Sequence, residues 1–440
     1  MPEMKTLTLN GVKYDIVDEV ARISASSAAQ VGDLKITTRT DLGDDWIIPD
    51  GALLDATKYP ALDEMITNRS SDRFDVPGGY VYGCEYANGI FVGLGYGGTS
   101  AYTGVFTSKT KDYLPDGLNV TQLMGSYSPS EQCPVKYDPS TGTWCMASKV
   151  NGIIYSWATK DPMGGSWTRK TIQSSNTQID LGDMHYYNGT WVAVGGYLKA
   201  TSQYSFTAST YVWVTTDPIN GTWTQYTISD RYFLNASQTC IYCYNGTWVI
   251  AMTQKPQYNA SSNKNGNFVV VYWTTTPTGT WSSKTISGPS NSSATPAVAS
   301  LYCHDGQWVI IGDQSGYTND YWTTTNPSGT WTTGSCDGVK DARERCIVWD
   351  NGYWYLLDNT GTGTSYTTAG YAYSTTLEGP WTAVSLSTTN GATPRCICAR
   401  DGVLAMIHTN STSQTGVYLA KHIPLLTNPI TGAHLYMKAK

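Results

Sequence analysis

One short turn occurs seven times between residues 79 and 420, and a chain with that periodicity can adopt very few architectures. In each copy Gly follows Asn, Asp or Thr, and an apolar run comes next. Examples are Tyr86-Ala-Asn-Gly-Ile-Phe-Val, Tyr187-Asn-Gly-Thr-Trp-Val-Ala and His304-Asp-Gly-Gln-Trp-Val-Ile. The glycines are Gly89, Gly142, Gly189, Gly246, Gly306, Gly352 and Gly402, spaced 46 to 60 residues apart. Asn-Gly and Asp-Gly between apolar runs signal tight hairpins, because both turn residues take positive φ. The five middle units carry a second turn that closes on Trp, as in Thr159-Lys-Asp-Pro-Met-Gly-Gly-Ser-Trp and Thr274-Thr-Thr-Pro-Thr-Gly-Thr-Trp. There Pro presets φ and Gly supplies the positive-φ position. Each unit therefore reads as strand, tight turn, strand, longer loop, strand, tight turn, strand. That is a propeller blade. The chain is predicted to be mainly β, a seven-bladed β-propeller, with six or eight blades if an end unit is miscounted.

Composition agrees. Only 14% of the 440 residues are charged, while there are 16 Trp, 32 Tyr and 43 Gly. Disordered chains are charge-rich and aromatic-poor, and helical bundles are dominated by Ala, Leu, Glu and Lys. A net charge of −6 argues against a nucleic-acid partner, which calls for a basic stripe. No apolar run approaches the roughly 20 residues of a membrane span, so no membrane insertion is expected. The opening residues lack the apolar block of a secretory signal. Synthesis in the cytoplasm with free thiols is therefore expected of the ten Cys. Cys240-x-x-Cys243 and Cys396-x-Cys398 lie in apolar runs and read as core thiols. The five His show no ligand spacing, so neither a metal nor a cofactor is expected.

Charge divides the chain. Residues 1–78 hold 22 charged side chains, whereas residues 79–420 hold 37 in 342 positions. The expected domains are an attachment hairpin and helix over 1–30, a split unit made of 31–78 and 421–440, and the propeller over 79–420. The helix is predicted from about Asp15, with Ile16, Val20 and Ile23 on one narrow stripe of coiled-coil type. A trimeric bundle is the expected use of that stripe.

The second turn resembles the Asp-box of sialidase-like propellers, Ser/Thr-x-Asp-x-Gly-x-Thr-Trp. Asp161 and Asp217 match its aspartate, while Thr276, Asn326 and Thr376 stand near that place. The resemblance implies fold and not activity, because the box is a structural turn remote from that family's active face. Residues 31–78 resemble the phage tail collar module. They contain Val31-Gly-Asp-Leu-Lys, Asp41-Leu-Gly-Asp-Asp-Trp-Ile-Ile-Pro-Asp-Gly, Asp55-Ala-Thr-Lys-Tyr-Pro-Ala-Leu and Arg73-Phe-Asp-Val-Pro. The closing Leu435-Tyr-Met-Lys-Ala-Lys is similar to the last strand of the same family, and Lys5-Thr-Leu-Thr-Leu-Asn-Gly-Val-Lys-Tyr resembles the start of phage tail and baseplate proteins. These resemblances imply a small α+β collar domain interrupted by the propeller, located in a virion tail.

The longer loops, on the face opposite the tight turns, combine Tyr with Ser, Asn and Gly, a composition suited to adaptable recognition. The predicted binding residues are Tyr96, Tyr102, Tyr197, Tyr204, Tyr258, Tyr317 and Tyr366, joined by Arg231, Arg345 and Arg395. A sialidase site would need three arginines, a Tyr nucleophile paired with Glu and an acidic proton donor. Arg345 and Arg395 each stand seven residues before a turn glycine, which reads as pore or blade packing more than an assembled site. No catalytic residue and no enzymatic activity are therefore expected. The reading is a phage tail adhesin, a homotrimer that contacts other tail or baseplate proteins and binds a host-surface glycan or protein receptor. A glycan-cleaving depolymerase or sialidase-like tail enzyme is the alternative, and a purely structural tail protein is the third.

Overall fold

A computed structural model describes residues 6–9, 12–15, 34–37, 40, 42–43, 45–49, 58–59, 72–76, 79–97, 102–109, 119–125, 127–174, 178–202, 205–229, 238–254, 268–286, 298–312, 318–340, 346–350, 352–359, 369–385, 393–400, 403–409, 415–421 and 434–438. The predicted helix after Asp15 lies outside them. All regular structure among these residues is β, apart from isolated turns.

The architecture is a β-propeller of four-stranded antiparallel sheets. Seven such sheets form among the described residues. Their innermost strands are Tyr80–Ala87, Val135–Asp138, Ile179–Tyr187, Thr239–Tyr244, Val298–His304, Ile347–Asp350 and Thr393–Arg400. Each touches the innermost strand of the next sheet, and the last touches the first, so the sheets ring a central channel.

The seventh sheet is completed from the other end of the chain. Its outer strand is Asp72–Val76, paired antiparallel with Thr415–Lys421 in the register Phe74↔Val417. This strand belongs to the segment that the charge step assigns to the split unit. A three-stranded sheet also joins the two ends, with Leu34–Thr37 and Trp46–Ile47 flanking His434–Lys438.

The tight turns follow from their residues. Asn88, Asn188, Asn245 and Asp305 adopt φ of 44 to 51°, and the glycines after them adopt 69 to 81°. Both positions of a type I′ turn are thereby filled by residues that tolerate left-handed backbone. Immediately after each turn comes the residue that anchors the sheet. It is Trp144, Trp191, Trp248, Trp308 or Trp354 in the middle sheets, Phe91 in the first and Leu404 in the seventh. All seven are buried, at 0 to 4% exposure. The core thus lies between facing sheets. One cluster joins Val92, Leu94 and Val105 of the first sheet to Met146 and Trp157 of the second.

The second turns share one hydrogen-bond scheme. The hydroxyls of Thr159, Thr215, Thr274, Thr324 and Ser374 each accept the backbone N–H two residues on, at 3.1 to 3.3 Å. Asp161 and Asp217 then cap turn amides, with Asp217 Oδ1 accepting from Ile219 N and Asn220 N at 3.0 and 2.9 Å. Asn326 Oδ1 does the same for Ser328 N at 3.1 Å, so Asn replaces Asp without losing the acceptor. The box is a structural device here.

All ten cysteines are buried, and none is in a disulfide. His408 is 2% exposed, and burial pushes its pKa down to about 3. A His held neutral in the folded chain but free to charge in the unfolded chain costs stability once pH falls below the unfolded value near 6.5. Stability is therefore expected to be full above that pH. It should fall as pH drops toward 5, by up to about 1.4 kcal/mol per unit for this residue. Urea midpoints of the protein and of His408→Leu check this, since the variant should show a shallower slope.

Candidate functional site at the channel mouths

The channel has two chemically different ends. At the long-loop end, the first sheet contributes Tyr80, Tyr82 and Tyr96. Tyr80 and Tyr82 stack with centroids 6.1 Å apart, and Tyr96 leans on Tyr80 at 4.8 Å. Alternation explains the grouping. Tyr80 and Tyr82 are two residues apart on one strand, and Tyr96 is the cross-strand partner of Tyr80.

Arg395, from the seventh sheet, places its guanidinium 5.9 Å from the Tyr82 ring centroid, and its Nη1 lies 3.4 Å from Glu131 Oε2. Burial first, then neighbouring Tyr96 and Glu131, push the Tyr82 phenol well above its ordinary value, so it keeps its proton at neutral pH. Burial and Tyr80 raise Tyr96 as well. Glu131 is over half exposed, which makes its pair with Arg395 a weak and exchangeable contact. Beside it, Ser130 N–H donates to the Lys149 carbonyl at 2.8 Å, and Lys149 Nζ meets Asp180 Oδ1 at 2.7 Å. Four successive sheets around the ring thus bring a protonated phenol, two carboxylates and two cations to one rim.

The predicted residues divide as follows. Tyr96 and Arg395 belong to this cluster. Tyr102 is close by, with its ring over Gly97 and Gly104, where a Cβ would meet it at 2.7 and 3.1 Å. Tyr197 lies elsewhere, stacked on Tyr211 at 6.2 Å against the core between the second and third sheets. Tyr204, Tyr258, Tyr317, Tyr366, Arg231 and Arg345 lie outside the described residues. Tyr80, Tyr82, Glu131 and Lys149, which sequence reasoning does not single out, complete this cluster with Asp180, an acid it places on the long-loop side. Tyr80 and Tyr82 sit on strands rather than loops, although their alternation before a turn glycine was a readable signal.

At the tight-turn end, the channel opens into a cavity of about 670 Å³. Glu85, Lys136, His185, Tyr242, Tyr302, Val348 and Cys398 line it at one level. Each pairs across its hairpin with the residue following the buried anchor. Lys136 Nζ is 3.7 Å from Glu85 Oε2. The His185 and Tyr242 rings meet tilted at 37° with centroids 4.3 Å apart, and Tyr242 meets Tyr302 tilted at 47° at 4.8 Å. Burial keeps His185 neutral, with Lys136 adding to the effect, and burial pushes Tyr242 up. Bulges at Val81/Gly83, Leu181/Asp183, Val298/Ser300 and Pro394/Cys396 recur one level higher and shift the innermost strands there.

No group of three or more His, Cys, Asp or Glu able to hold a metal occurs among the described residues. No family model matches the sequence. No curated protein matches it either. The structure, by contrast, is similar to solved propellers. An α-L-arabinofuranosidase of Fusarium graminearum superposes with a TM-score of 0.45 at 14% identity, over 66% of this chain and 92% of that one. A sialidase of Trypanosoma rangeli gives 0.46 at 10% identity, over 80% and 60%. A β-xylosidase/α-arabinofuranosidase from a compost metagenome gives 0.35 at 11%, over 56% and 91%. At these identities the likeness is one of fold. The comparison runs against the expectation of a chain without enzymatic activity, because these similar structures are named as glycoside hydrolases, while the likeness itself extends to the fold alone. Arg395, whose repeat position indicates pore or blade packing and which is also among the predicted binding residues, engages Glu131 and Tyr82 at the channel mouth.

Proposed function

We propose that the chain is a glycan-cleaving enzyme whose long-loop channel mouth receives an acidic sugar unit. The observation that carries this reading is the convergence of Tyr82 of the first sheet, Glu131 of the connection before the second and Arg395 of the seventh, beside Tyr80 and Tyr96. Arg395 exchanges Glu131 for the substrate carboxylate, a charge-assisted pair that a guanidinium makes well. The Tyr80 and Tyr96 rings supply flat apolar surface to a sugar face.

Tyr82 then serves as nucleophile toward the anomeric carbon, with Glu131 taking the phenol proton as the bond forms. The proton that Glu131 takes from the phenol ends on the departing glycosidic oxygen, directly or through water, while the Asp180 carboxylate, paired with Lys149, faces the same rim. Water subsequently hydrolyses the glycosyl–tyrosine bond. Burial raises the phenol pKa and so opposes this proton loss, which Glu131 as base and the Arg395 charge beside the ring offset.

The finer organisation is proposed with it. The ring is a closed seven-bladed propeller, and the joined chain ends form a tail-collar-like base that carries it on a phage tail as a trimer. Host-surface glycan is the partner.

Incubating the full chain with sialylated and uronic-acid polysaccharides, and assaying new reducing ends, tests the activity. Release is expected, and Tyr82→Phe or Arg395→Ala should lower kcat/KM by about 100-fold or more, the scale of losing a reacting group or a charge clamp. Tyr197→Phe should leave it unchanged. Absence of release from every substrate, or release indifferent to Tyr82→Phe, overturns the reading.

A further inference from the structure

Three thiols on the channel wall have no part in that reaction. Cys84 is on the innermost strand of the first sheet, and Cys396 and Cys398 are on the innermost strand of the seventh. They meet at the seam where the ring closes. Cys84 Sγ stands 3.6 Å from Cys396 Sγ and 3.6 Å from Cys398 Sγ. Period-2 alternation accounts for the arrangement, since Cys396 and Cys398 are two apart on one strand and face the same neighbour. A disulfide forms at about 2.05 Å, so each pair must close by about 1.5 Å, a movement within reach of side-chain torsions on neighbouring strands. All three residues line the cavity of about 670 Å³, through which a small oxidant reaches them.

We propose that Cys84, Cys396 and Cys398 form a modification site at which a peroxide creates one disulfide across the ring seam. Cys84 is always one partner, and the third thiol is left to exchange. In the first step the Cys84 thiolate attacks one oxygen of hydrogen peroxide. The O–O bond breaks, giving a sulfenic acid and hydroxide, which takes up the thiol proton as water. The thiolate of Cys396 or Cys398 then attacks the sulfenic sulfur. The S–S bond forms as the S–O bond breaks, and the second hydroxide leaves as water with the second thiol proton. Two thiols are oxidised, one peroxide is reduced and two waters are formed. Burial holds the Cys84 thiol well above its ordinary value, so the reaction should be slow at neutral pH and faster in mild alkali.

The link would join residues 312 and 314 positions apart. Cross-linking so long a loop restricts the unfolded chain strongly, and it fastens the first sheet to the last where the ring could open.

The test uses the full chain, treated with hydrogen peroxide, alkylated in denaturant and digested with trypsin. Cleavage after Arg395 and Arg400 leaves Cys396 and Cys398 on one peptide. The expected product is that peptide joined to the one carrying Cys84, with a rise of several degrees in the thermal midpoint that dithiothreitol reverses. Cys396→Ser should still cross-link through Cys398, and Cys398→Ser through Cys396. Cys84→Ser, or the double substitution, should not cross-link. Recovery of Cys84 alkylated or as a sulfinic acid, or joined to any other cysteine, overturns the proposal, and this measurement on the unsubstituted chain needs no variant to fold.

Discussion

Replacing Trp213 with alanine is expected to destabilise the protein by about 3–5 kcal/mol, the cost of truncating a fully packed large aromatic. Trp213 is 0% exposed, on the third strand of the third sheet. It packs with Ala147, Ile154 and Ala158 of the second sheet and with Trp191 and Ala193 of its own. Its indole N–H donates to Gln225 Oε1 at 3.2 Å, and Tyr211 meets it at 5.9 Å between centroids. The ring lies over Gly195, where a Cβ would come within 2.9 Å of Trp213 Cζ3 and 2.3 Å of the Asp180 carbonyl oxygen. Gly195→Ala should therefore also destabilise, because the backbone oxygen cannot give way. Val120, 42% exposed on an outer strand, provides the contrast. Val120→Ala should stay within about 0.5 kcal/mol. Urea unfolding of the three variants measures the differences. Equal midpoints for Trp213→Ala and the unsubstituted chain would show that the inter-sheet packing does not hold the fold.

The sequence made the sheets legible because each depends on local chemistry. An Asn-Gly or Asp-Gly pair specifies its own turn, and the Trp beyond Gly189, Gly246 and Gly306 anchors a strand wherever it occurs. The site was less legible. Tyr82 and Arg395 come from the first and seventh sheets and Glu131 from the connection before the second, so no spacing along the chain relates them. Equivalence by repeat puts Arg395 at pore or blade packing without naming its partners, because equivalent positions around a channel face different neighbours. The level of Glu85, Lys136, His185 and Tyr242 shows the same thing: one structural position holds an acid, a base, an imidazole and a phenol. The bulges at Gly83, Asp183, Ser300 and Cys396 were also invisible, since an extra residue in one strand leaves no compositional mark.

Ring closure depends on one short segment, and removing it should have the largest effect of any change considered. Asp72–Val76 supplies the fourth strand of the seventh sheet from some 340 residues away in sequence. Without it, Thr415–Lys421 becomes an unpaired edge next to the buried strand Val403–Thr409. The lost ladder alone is worth about 5 kcal/mol at roughly 1 kcal/mol per backbone hydrogen bond. Solvation of the newly exposed sheet face adds to that, against a total stability of order 5–15 kcal/mol. A chain beginning at Asp72 and one beginning at Gly79 differ by little more than this strand, and both lack Leu34–Thr37, the partner of His434–Lys438. The longer form should be soluble and unfold in one cooperative transition. The shorter should aggregate or bind a hydrophobic dye without a transition, as measured by size-exclusion chromatography and thermal circular dichroism. Comparable solubility and midpoints for the two would mean that the ring is held by the contacts between Thr393–Arg400 and Tyr80–Ala87, and that the outer strand only decorates the seam.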